Sequence, residues 1–292
     1  MIQPDKEQKF TPKVSIGMPI YNGEKFVREA LDSLLAQTET NFELIISDNA
    51  STDTTEKICR EYSDRDKRIS YIRQEKNGGP LWNFNFVLQH AQGEYFMWAA
   101  HDDLWSKDWV TNLLKNHNNE TAISYGRVVN ITEAGEFIKG YPCTDFSGSR
   151  LMRLIRFHLT EDTLGKPNLI YGLYETDMLK KIGFKDYGWS LYGQDMRVIF
   201  DCLQYGTIAT DPKVSMYKRE VSKGSKKLSY RAIISSIFLL PQIGSYLTYP
   251  LVVSKPIDKI IIGMLFPIKY IASFLYSFVA RIVERLLHKI RG

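Results

Sequence analysis

The chain has 292 residues, of which 44% are hydrophobic and 24% charged, so it has the composition of a packed globular protein. This composition excludes disordered and collagenous chains, and three cysteines without a CxxC pair favour neither a disulfide framework nor a zinc site. The net charge of +5 is unevenly distributed, because 14 basic but only 3 acidic residues follow from Lys213 onward. We therefore expect two parts of the chain with different tasks. The cysteine content favours a reducing compartment, and the polar residues 1–12 predict no secretory signal.

The first 125 residues alternate between short apolar runs, which predict strands, and helical periodicities. In chain order, strands are predicted over 14–20, 42–47, 69–72, 94–100 and 122–125, and helices over 24–36, from about 51, over 82–91 and over 107–116. Nearly continuous apolar strands that alternate with helices predict a mostly parallel sheet covered on both faces. Such sheets bind ligands at the carboxyl ends of their strands, where we expect the functional side chains.

The remainder of the chain is less regular. It predicts a hairpin over 128–138, around Glu133-Ala-Gly, and helices over 149–159, 176–182 and 194–204. No Pro-, Gly- or Ser-rich linker divides the chain before about residue 230. We therefore expect a polar tail over 1–12, one α/β domain over 13–230 and a helical extension over 231–292.

Adjacent carboxylates, Asp102 and Asp103, follow the apolar run that ends at Ala100. A buried strand rarely ends in two neighbouring carboxylates unless a cation balances them. Oxygen ligands of this kind suit Mg²⁺ or Mn²⁺ held through one or two carboxylates and phosphate oxygens. The alternative is that aspartates at strand ends only bond their own backbone. The absence of GxxxxGK[ST] and GxGxxG excludes a P-loop NTPase and argues against a dinucleotide-dependent dehydrogenase.

Four segments stand out in chain order: residues 14–24 (VSIGMPIYNGE), 48–53 (DNASTD), 77–103 (with Asn85, Gly93-Glu94-Tyr95 and Asp102-Asp103) and 192–195 (YGQD). Together they resemble the motifs of family 2 glycosyltransferases. The resemblance covers roughly residues 14–220. It implies a GT-A fold, a nucleotide-diphosphate sugar donor, a Mn²⁺ or Mg²⁺ cofactor and inversion at the anomeric carbon.

The resemblance also implies roles for individual residues. The implied nucleotide-binding residues are Pro19, Tyr21, Glu24, Asp48, Asn85 and Asp102. Asp103 is the implied metal ligand, which would stabilise the departing diphosphate. Asp195 is the implied general base for the acceptor hydroxyl. The alternative for Asp195 is a capping carboxylate that begins the helix over 194–204.

Some residues differ from the family pattern. His101 stands where many relatives carry an acid, and Gln194 stands where relatives often have Glu. We interpret both, together with Trp189, as possible acceptor- or donor-binding residues. Tyr217-Lys-Arg resembles a segment that helps hold the diphosphate in some relatives, and a solvated charged loop is the alternative. QxxRW is absent, which favours transfer of a single sugar.

Two other functions remain open from the sequence. A non-catalytic nucleotide-sugar binding or scaffold protein would keep the same fold. Nucleotidyl transfer onto a sugar phosphate uses a similar sheet, but it usually needs a Gly-rich basic loop after the first strand, which the Tyr21-Asn-Gly-Glu segment does not provide.

The C-terminal extension is apolar and basic. Residues 232–254 contain no charged residue, but prolines and glycine interrupt them, and Pro256 and Pro267 are expected to break the following stretch. Residues 269–291 predict an amphipathic helix. Its apolar face contains Ile271, Phe274, Leu275, Phe278, Ile282, Leu286 and Ile290, and its other face Lys269, Ser273, Ser277, Arg281, Arg285 and Lys289.

Such a helix suits the plane of an anionic membrane surface. The alternatives are that it packs on the α/β domain or forms a homo-oligomer interface. Nucleic acid is not an expected partner, because large apolar stretches separate the basic residues. We therefore expect a cytoplasmic protein, peripheral at the inner face of the cell membrane, that glycosylates a saccharide or lipid-linked saccharide acceptor.

Overall fold

The computed structural model describes residues 11–144, 146–185, 193–221 and 240–291, and side chains over 246–276 within the last range. Strands β1 to β9 span Val14–Ile20, Phe42–Asp48, Ile69–Arg73, Tyr95–Trp98, Leu104–Trp105, Thr121–Ile131, Phe137–Tyr141, Tyr174–Glu175 and Thr207–Arg219. Helices α1 to α9 span Val27–Leu35, Thr55–Arg65, Pro80–His90, Trp109–Asn116, Arg150–Leu159, Thr176–Ile182, Gln194–Cys202, Leu240–Val252 and Pro256–Arg291. Two short 3₁₀ helices span Asp162–Leu164 and Lys166–Tyr171.

The first sheet has the strand order β3-β2-β1-β4-β8. Its first four strands are parallel and β8 is antiparallel to β4. Ile16, Leu44, Phe96 and Trp98 are fully buried in these strands because helices cover the sheet, as their continuous apolar runs predict. The predicted α/β fold with a mostly parallel sheet is confirmed.

A second sheet has the order β5-β9-β6-β7. The hairpin predicted over 128–138 is confirmed as the antiparallel pair of β6 and β7. β6 is longer than the predicted strand over 122–125, because the chain continues extended through Gly126, where a Cβ would approach the Trp109 ring to 2.3 Å. β9 was not predicted, since Asp211-Pro212 interrupts its apolar alternation. The pairing of β6 with β9 shifts register between Gly126 and Arg127.

The C-terminal extension forms helices α8 and α9, which pack on each other and on α7 and α5. The prediction that Pro267 interrupts the helical stretch is wrong, because α9 is continuous through this residue. Pro267 is exposed, so the helical hydrogen bond that it cannot make lies on the solvent side. Lys269 and Ser273, on the polar face of the predicted amphipathic helix, are buried against the α/β domain.

Candidate active site

The parallel strands bring three chain segments to one edge of the first sheet. β2, β1 and β4 are neighbours, so the residues after Asp48, Ile20 and Trp98 lie side by side. A cavity of about 320 Å³ opens there, here called the strand-end pocket. It is lined by Pro19, Ile20, Tyr21, Asn49, Asn77, Pro80, Asn83, Phe84 and His101.

Asp48, the last residue of β2, is fully buried and directly precedes Asn49, so it does not itself line the pocket. Its carboxylate accepts hydrogen bonds from the Ser51 backbone N–H at 2.8 Å, the Tyr71 hydroxyl at 2.7 Å and the Arg73 guanidinium at 3.0 Å. Burial, followed by the hydrogen bond to Asp48, raises the pKa of Tyr71. These bonds hold the end of β2 and thereby place Asn49 in the pocket wall.

Asn49 joins the strand-end pocket to the Gly-Gly loop before α3. Its amide nitrogen donates to Asn77 Oδ1 at 2.9 Å and to the Gly79 carbonyl at 3.2 Å, and its Oδ1 accepts from the Gly78 N–H at 2.9 Å. The next residue, Ala50, has a φ of 60°, an unusual conformation for a residue with a side chain. Asn49 therefore fixes the geometry of two pocket loops.

The loop after β1 is joined to the loop after β2. Asn22, with a φ of 52°, donates its N–H to Ser51 Oγ and accepts from the Thr52 N–H. Glu24 is exposed and accepts from the N–H and hydroxyl of Thr54 at the beginning of α2, where a negative charge is favourable. Of the residues predicted from the first motif, Pro19 and Tyr21 line the pocket and Glu24 stabilises this loop.

The segment after β4 brings His101, Asp102 and Asp103 to the same edge. His101 lines the strand-end pocket, and burial lowers its pKa. Asp103 is only 2% exposed, and its Oδ1 accepts from the backbone N–H of Arg219 at 2.8 Å. Burial, and then the neighbouring charge of Asp102, raises the pKa of Asp103 to about 7.

These carboxylates fit a divalent cation. Among the described residues, no group of three or more His, Cys, Asp or Glu side chains is arranged to hold an ion. Two adjacent carboxylates nevertheless match Mg²⁺ and Mn²⁺, which take one or two carboxylates and fill the remaining positions with phosphate oxygens and water. The raised pKa of Asp103 marks a buried charge that a cation would stabilise.

Arg219 holds this segment in place and was not predicted as a site residue. Its side chain is 3% exposed and donates to the Asp102 carbonyl at 3.1 Å, to the Glu133 carbonyl at 2.6 Å and to the Glu29 carboxylate at 2.7 Å. Together with its backbone bond to Asp103, these contacts fix both aspartates relative to β9. Tyr217-Lys-Arg belongs to this strand, so the alternative of a solvated loop is wrong.

Asp195 lies in the first turn of α7 and faces a second cavity, here called the α7 pocket. This cavity has a volume of about 240 Å³ and is lined by Pro80, Leu81, Phe84, Ile170, Tyr171, Phe184, Gln194 and Asp195. Burial raises the pKa of Asp195, whose Oδ1 accepts from the Met196 N–H at 2.8 Å. The two pockets share Pro80 and Phe84 and therefore adjoin.

Tyr171 and Lys218 interact electrostatically with both Asp103 and Asp195. After burial, the charges of Asp103, Asp102 and Asp195 raise the pKa of Tyr171. The Lys218 ammonium opposes the burial effect on both Asp103 and Asp195, lowering their pKa values. It donates to Asn168 Oδ1 at 3.0 Å and lies 5.7 Å from the centre of the Tyr171 ring. The charge of Lys218 therefore acts on both Asp103 and Asp195.

The other predicted residues have different positions. Both ends of the Asn85 amide bond the backbone of Phe184, at 2.7 and 2.9 Å, so Asn85 fixes a residue of the α7 pocket wall. Gln194 lines that pocket, and its Oε1 accepts from Arg197. Trp189 lies outside the described residues.

The mostly parallel sheet with joined pockets at its carboxyl edge has the architecture of an α/β domain of GT-A type. The sequence model of "Glycosyl transferase family 2" matches residues 15–182, more than half of the chain, so the chain belongs to this family. The resemblance stated from the motifs is therefore confirmed.

Curated relatives match part of the chain. It is 39% identical over 143 residues to an uncharacterized glycosyltransferase of Rickettsia bellii, covering 47% of this chain and 20% of the relative. It is 37% identical over 104 residues to the putative teichuronic acid biosynthesis glycosyltransferase TuaG of Bacillus subtilis, covering 36% of this chain and 41% of the relative. The matches thus span less than half of either relative.

Solved structures share the fold. The Staphylococcus aureus TarS fragment 1–349 in complex with UDP-GlcNAc has a TM-score of 0.63 at 20% identity, covering 89% of this chain and 73% of that one. The mannosyltransferase PcManGT of Pyrobaculum calidifontis, in complex with GDP-Man and Mn²⁺, has a TM-score of 0.60 at 16% identity, covering 93% and 74%. At these identities the likeness concerns the fold alone.

Proposed function

We propose that the protein is an inverting glycosyltransferase that moves one sugar from a nucleotide-diphosphate donor to an acceptor hydroxyl. The observation that carries this proposal is the meeting of the two pockets at Pro80 and Phe84, with Asp195 in the wall of one and His101, which directly precedes Asp102 and Asp103, in the wall of the other. One molecule can then occupy both, with its nucleotide in the strand-end pocket and its sugar towards the α7 pocket.

In this proposal the strand-end pocket binds the nucleoside. Tyr21 is 44% exposed and offers a ring face to a base, while Pro19 lines the same wall. Asp48 already accepts three hydrogen bonds, so it acts mainly by holding the β2 end, and any contact to the base would share its carboxylate with Tyr71 and Arg73. PcManGT and TarS in their nucleotide-sugar complexes support a donor of this class.

Asp102 and Asp103 would hold the divalent cation, Mn²⁺ or Mg²⁺, with Arg219 fixing their backbone. When bound, the cation supplies Lewis-acid stabilisation of the charge that develops on the departing diphosphate. Lys218, which stands near Asp103 and Asp195, would add a second positive charge on the same side.

Asp195 would take the proton from the acceptor hydroxyl. Its pKa, raised by burial, makes the carboxylate a stronger base than an exposed aspartate. A hydroxyl that enters through the α7 pocket attacks the anomeric carbon from the face opposite to the diphosphate, so the configuration inverts. Gln194, which lines the same wall, would bind a sugar hydroxyl.

We also propose that the acceptor is a saccharide or lipid-linked saccharide reached at the cytoplasmic face of the cell membrane. The name of the relative TuaG, in teichuronic acid biosynthesis, supports a surface-polysaccharide precursor. The segment Pro256–Tyr276 is long and apolar enough to cross a membrane by length and composition, which supports membrane association.

The test is sugar transfer by the purified chain with Mn²⁺, a panel of nucleotide sugars and saccharide acceptors. Asp195→Asn should lower turnover by about 10²-fold or more while donor affinity stays unchanged. Asp201→Asn is the matched control, because Asp201 is a buried aspartate of the same helix with a raised pKa and lines neither pocket.

Full activity of Asp195→Asn would contradict the proposed base, and a product that retains the anomeric configuration would contradict inversion. Metal-dependent donor binding without turnover over the whole acceptor panel would favour the non-catalytic alternative.

A further inference from the structure

One face of α9 is apolar and exposed over the whole part whose side chains are described. Six residues at spacings of three or four are each 53–70% exposed, and they form what is here called the α9 stripe: Ile257, Ile260, Met264, Ile268, Ile271 and Leu275. At 1.5 Å per residue the stripe is about 27 Å long. A continuous apolar surface of this length marks an interaction site.

The opposite face of α9 is fixed to the α/β domain by polar contacts. Near its beginning, the buried Asp258 pairs with Arg150 of α5. Near the end of the described side chains, the buried Lys269 pairs with Glu161 at 2.8 Å, and Ser273 donates to the same carboxylate at 2.9 Å. The helix is therefore held along its length, with the stripe turned outward.

The segment of the α/β domain that contacts α9, at the end of α5, is itself fixed by ion pairs and hydrogen bonds. Lys166, fully buried, pairs with Asp162 at 2.8 Å and donates to the carbonyls of Phe157 and Thr160 at the end of α5. Tyr246 of α8 donates to Asp162 at 2.9 Å. Turning the stripe inward would break the pairs of Asp258 with Arg150 and of Lys269 with Glu161 against this fixed segment, and unpaired buried charges are strongly unfavourable.

We propose that the α9 stripe lies in the plane of an anionic lipid bilayer and inserts its apolar side chains at the headgroup boundary. Among the described side chains of α9 and the turn before it, the exposed charged residues are Lys255 and Lys259, and both are positive. The acidic residues of this region, Asp258 and Glu161, are paired with cations. An exposed apolar face on a helix whose exposed charges are positive is the pattern of an interfacial helix on anionic lipid.

The same contacts argue against a spanning helix. Although Pro256–Tyr276 is long enough to cross a bilayer, crossing would draw Asp258, Lys269 and Ser273, with their partners from the α/β domain, into hydrocarbon. The inference rests on the membrane location given in the proposed function, but not on the proposed chemistry.

The first test measures flotation of the full chain with phosphatidylcholine vesicles, with and without phosphatidylglycerol. The wild type should bind the anionic vesicles, and Ile260→Gln/Met264→Gln should weaken this binding at least about tenfold. The matched control is Leu164→Gln/Tyr205→Gln, which removes exposed apolar side chains outside the stripe and should bind as the wild type does. Equal binding by the wild type and the stripe variant would overturn the proposal.

The second test measures how deeply the residues of α9 lie in the bilayer. Spin labels are placed one at a time by Ile257→Cys, Met264→Cys or Ile271→Cys in a Cys143→Ser background, since the other two cysteines are buried. An in-plane helix gives similar, shallow depths at all three sites. A label at 264 that lies near the bilayer centre, with the outer labels near opposite surfaces, would overturn the proposal in favour of a spanning helix. Stripe-dependent self-association without vesicle binding would overturn it in favour of a second copy.

Transfer to a soluble acceptor separates this inference from the proposed function. The stripe variants should keep that activity because the stripe lies outside both pockets. Vesicle binding without transfer by the wild type would refute the chemistry and leave the membrane surface in place.

Discussion

Stability and function are expected to oppose each other at Asp103. This carboxylate is buried beside Asp102, so its charge is unfavourable in the ligand-free protein, and its pKa rises from 3.8 to about 7. Asp103→Asn keeps the shape and the acceptor for the Arg219 N–H but removes the charge. We expect the variant to be more stable than the wild type at neutral pH and inactive as an enzyme.

The magnitude follows from proton linkage. Between pH 4 and 7 the native state retains a proton on Asp103 that the unfolded state has lost. The free energy of unfolding therefore falls by about 1.4 kcal/mol per pH unit through this one group. At pH 8 the ionisation of Asp103 has lowered the free energy of unfolding of the wild type by about 4 kcal/mol in total. Between pH 5 and pH 8 the advantage of Asp103→Asn over the wild type should widen by about 2–3 kcal/mol.

The assay is urea unfolding at pH 5 and pH 8 with a chelator, repeated at pH 8 with Mn²⁺ and a nucleoside diphosphate. The added ligands should stabilise the wild type, because they bind the native state, and should have little effect on Asp103→Asn. Asp201→Asn removes a different buried carboxylate with a raised pKa and should keep the response to the ligands. A variant that loses stability from pH 5 to pH 8 as the wild type does, or that responds equally to Mn²⁺, would refute the reasoning.

Two other substitutions test the supports of the site and of the second sheet. Arg219→Met leaves two backbone carbonyls and a carboxylate without their donor, so it should lower the free energy of unfolding by about 2–4 kcal/mol. It should also weaken Mn²⁺-dependent donor binding at least about tenfold, as titration calorimetry would show, and wild-type metal affinity would contradict its role. Gly126→Ala should cost about 1–3 kcal/mol, measured by thermal unfolding, because its Cβ would overlap the Trp109 ring. Gly263→Ala is the control and should not destabilise, because its Cβ would lie 3.9 Å from the Pro250 ring, an ordinary contact distance, within a helix.

The strands of the first sheet could be predicted because each is an uninterrupted apolar run, and burial on both faces requires such runs. It could also be predicted that Asp48 and the segment after β4 lie at the same edge of the sheet, because the carboxyl ends of parallel strands meet there. The role of Arg219 could not be predicted. Its partners Glu29, Asp102 and Glu133 are 86 to 190 residues away in sequence, and β9 itself was hidden by Asp211-Pro212.

The orientation of α9 shows a different limit of sequence reasoning. Periodicity separates a polar face from an apolar one, but it does not tell which face meets the domain. Lys269 and Ser273 are buried because Glu161, over 100 residues earlier, supplies their partner. The apolar face, which usually packs inward, is left outside for the same reason.

The central claim is that one nucleotide sugar occupies both pockets, with its metal on Asp103. Crystals of the full chain grown with Mn²⁺ and a nucleoside diphosphate, measured at the manganese absorption edge, test it most directly. We predict one anomalous peak beside Asp103, with the base against Tyr21 and the diphosphate directed towards Asp195. Manganese and nucleotide bound away from these residues would contradict the claim.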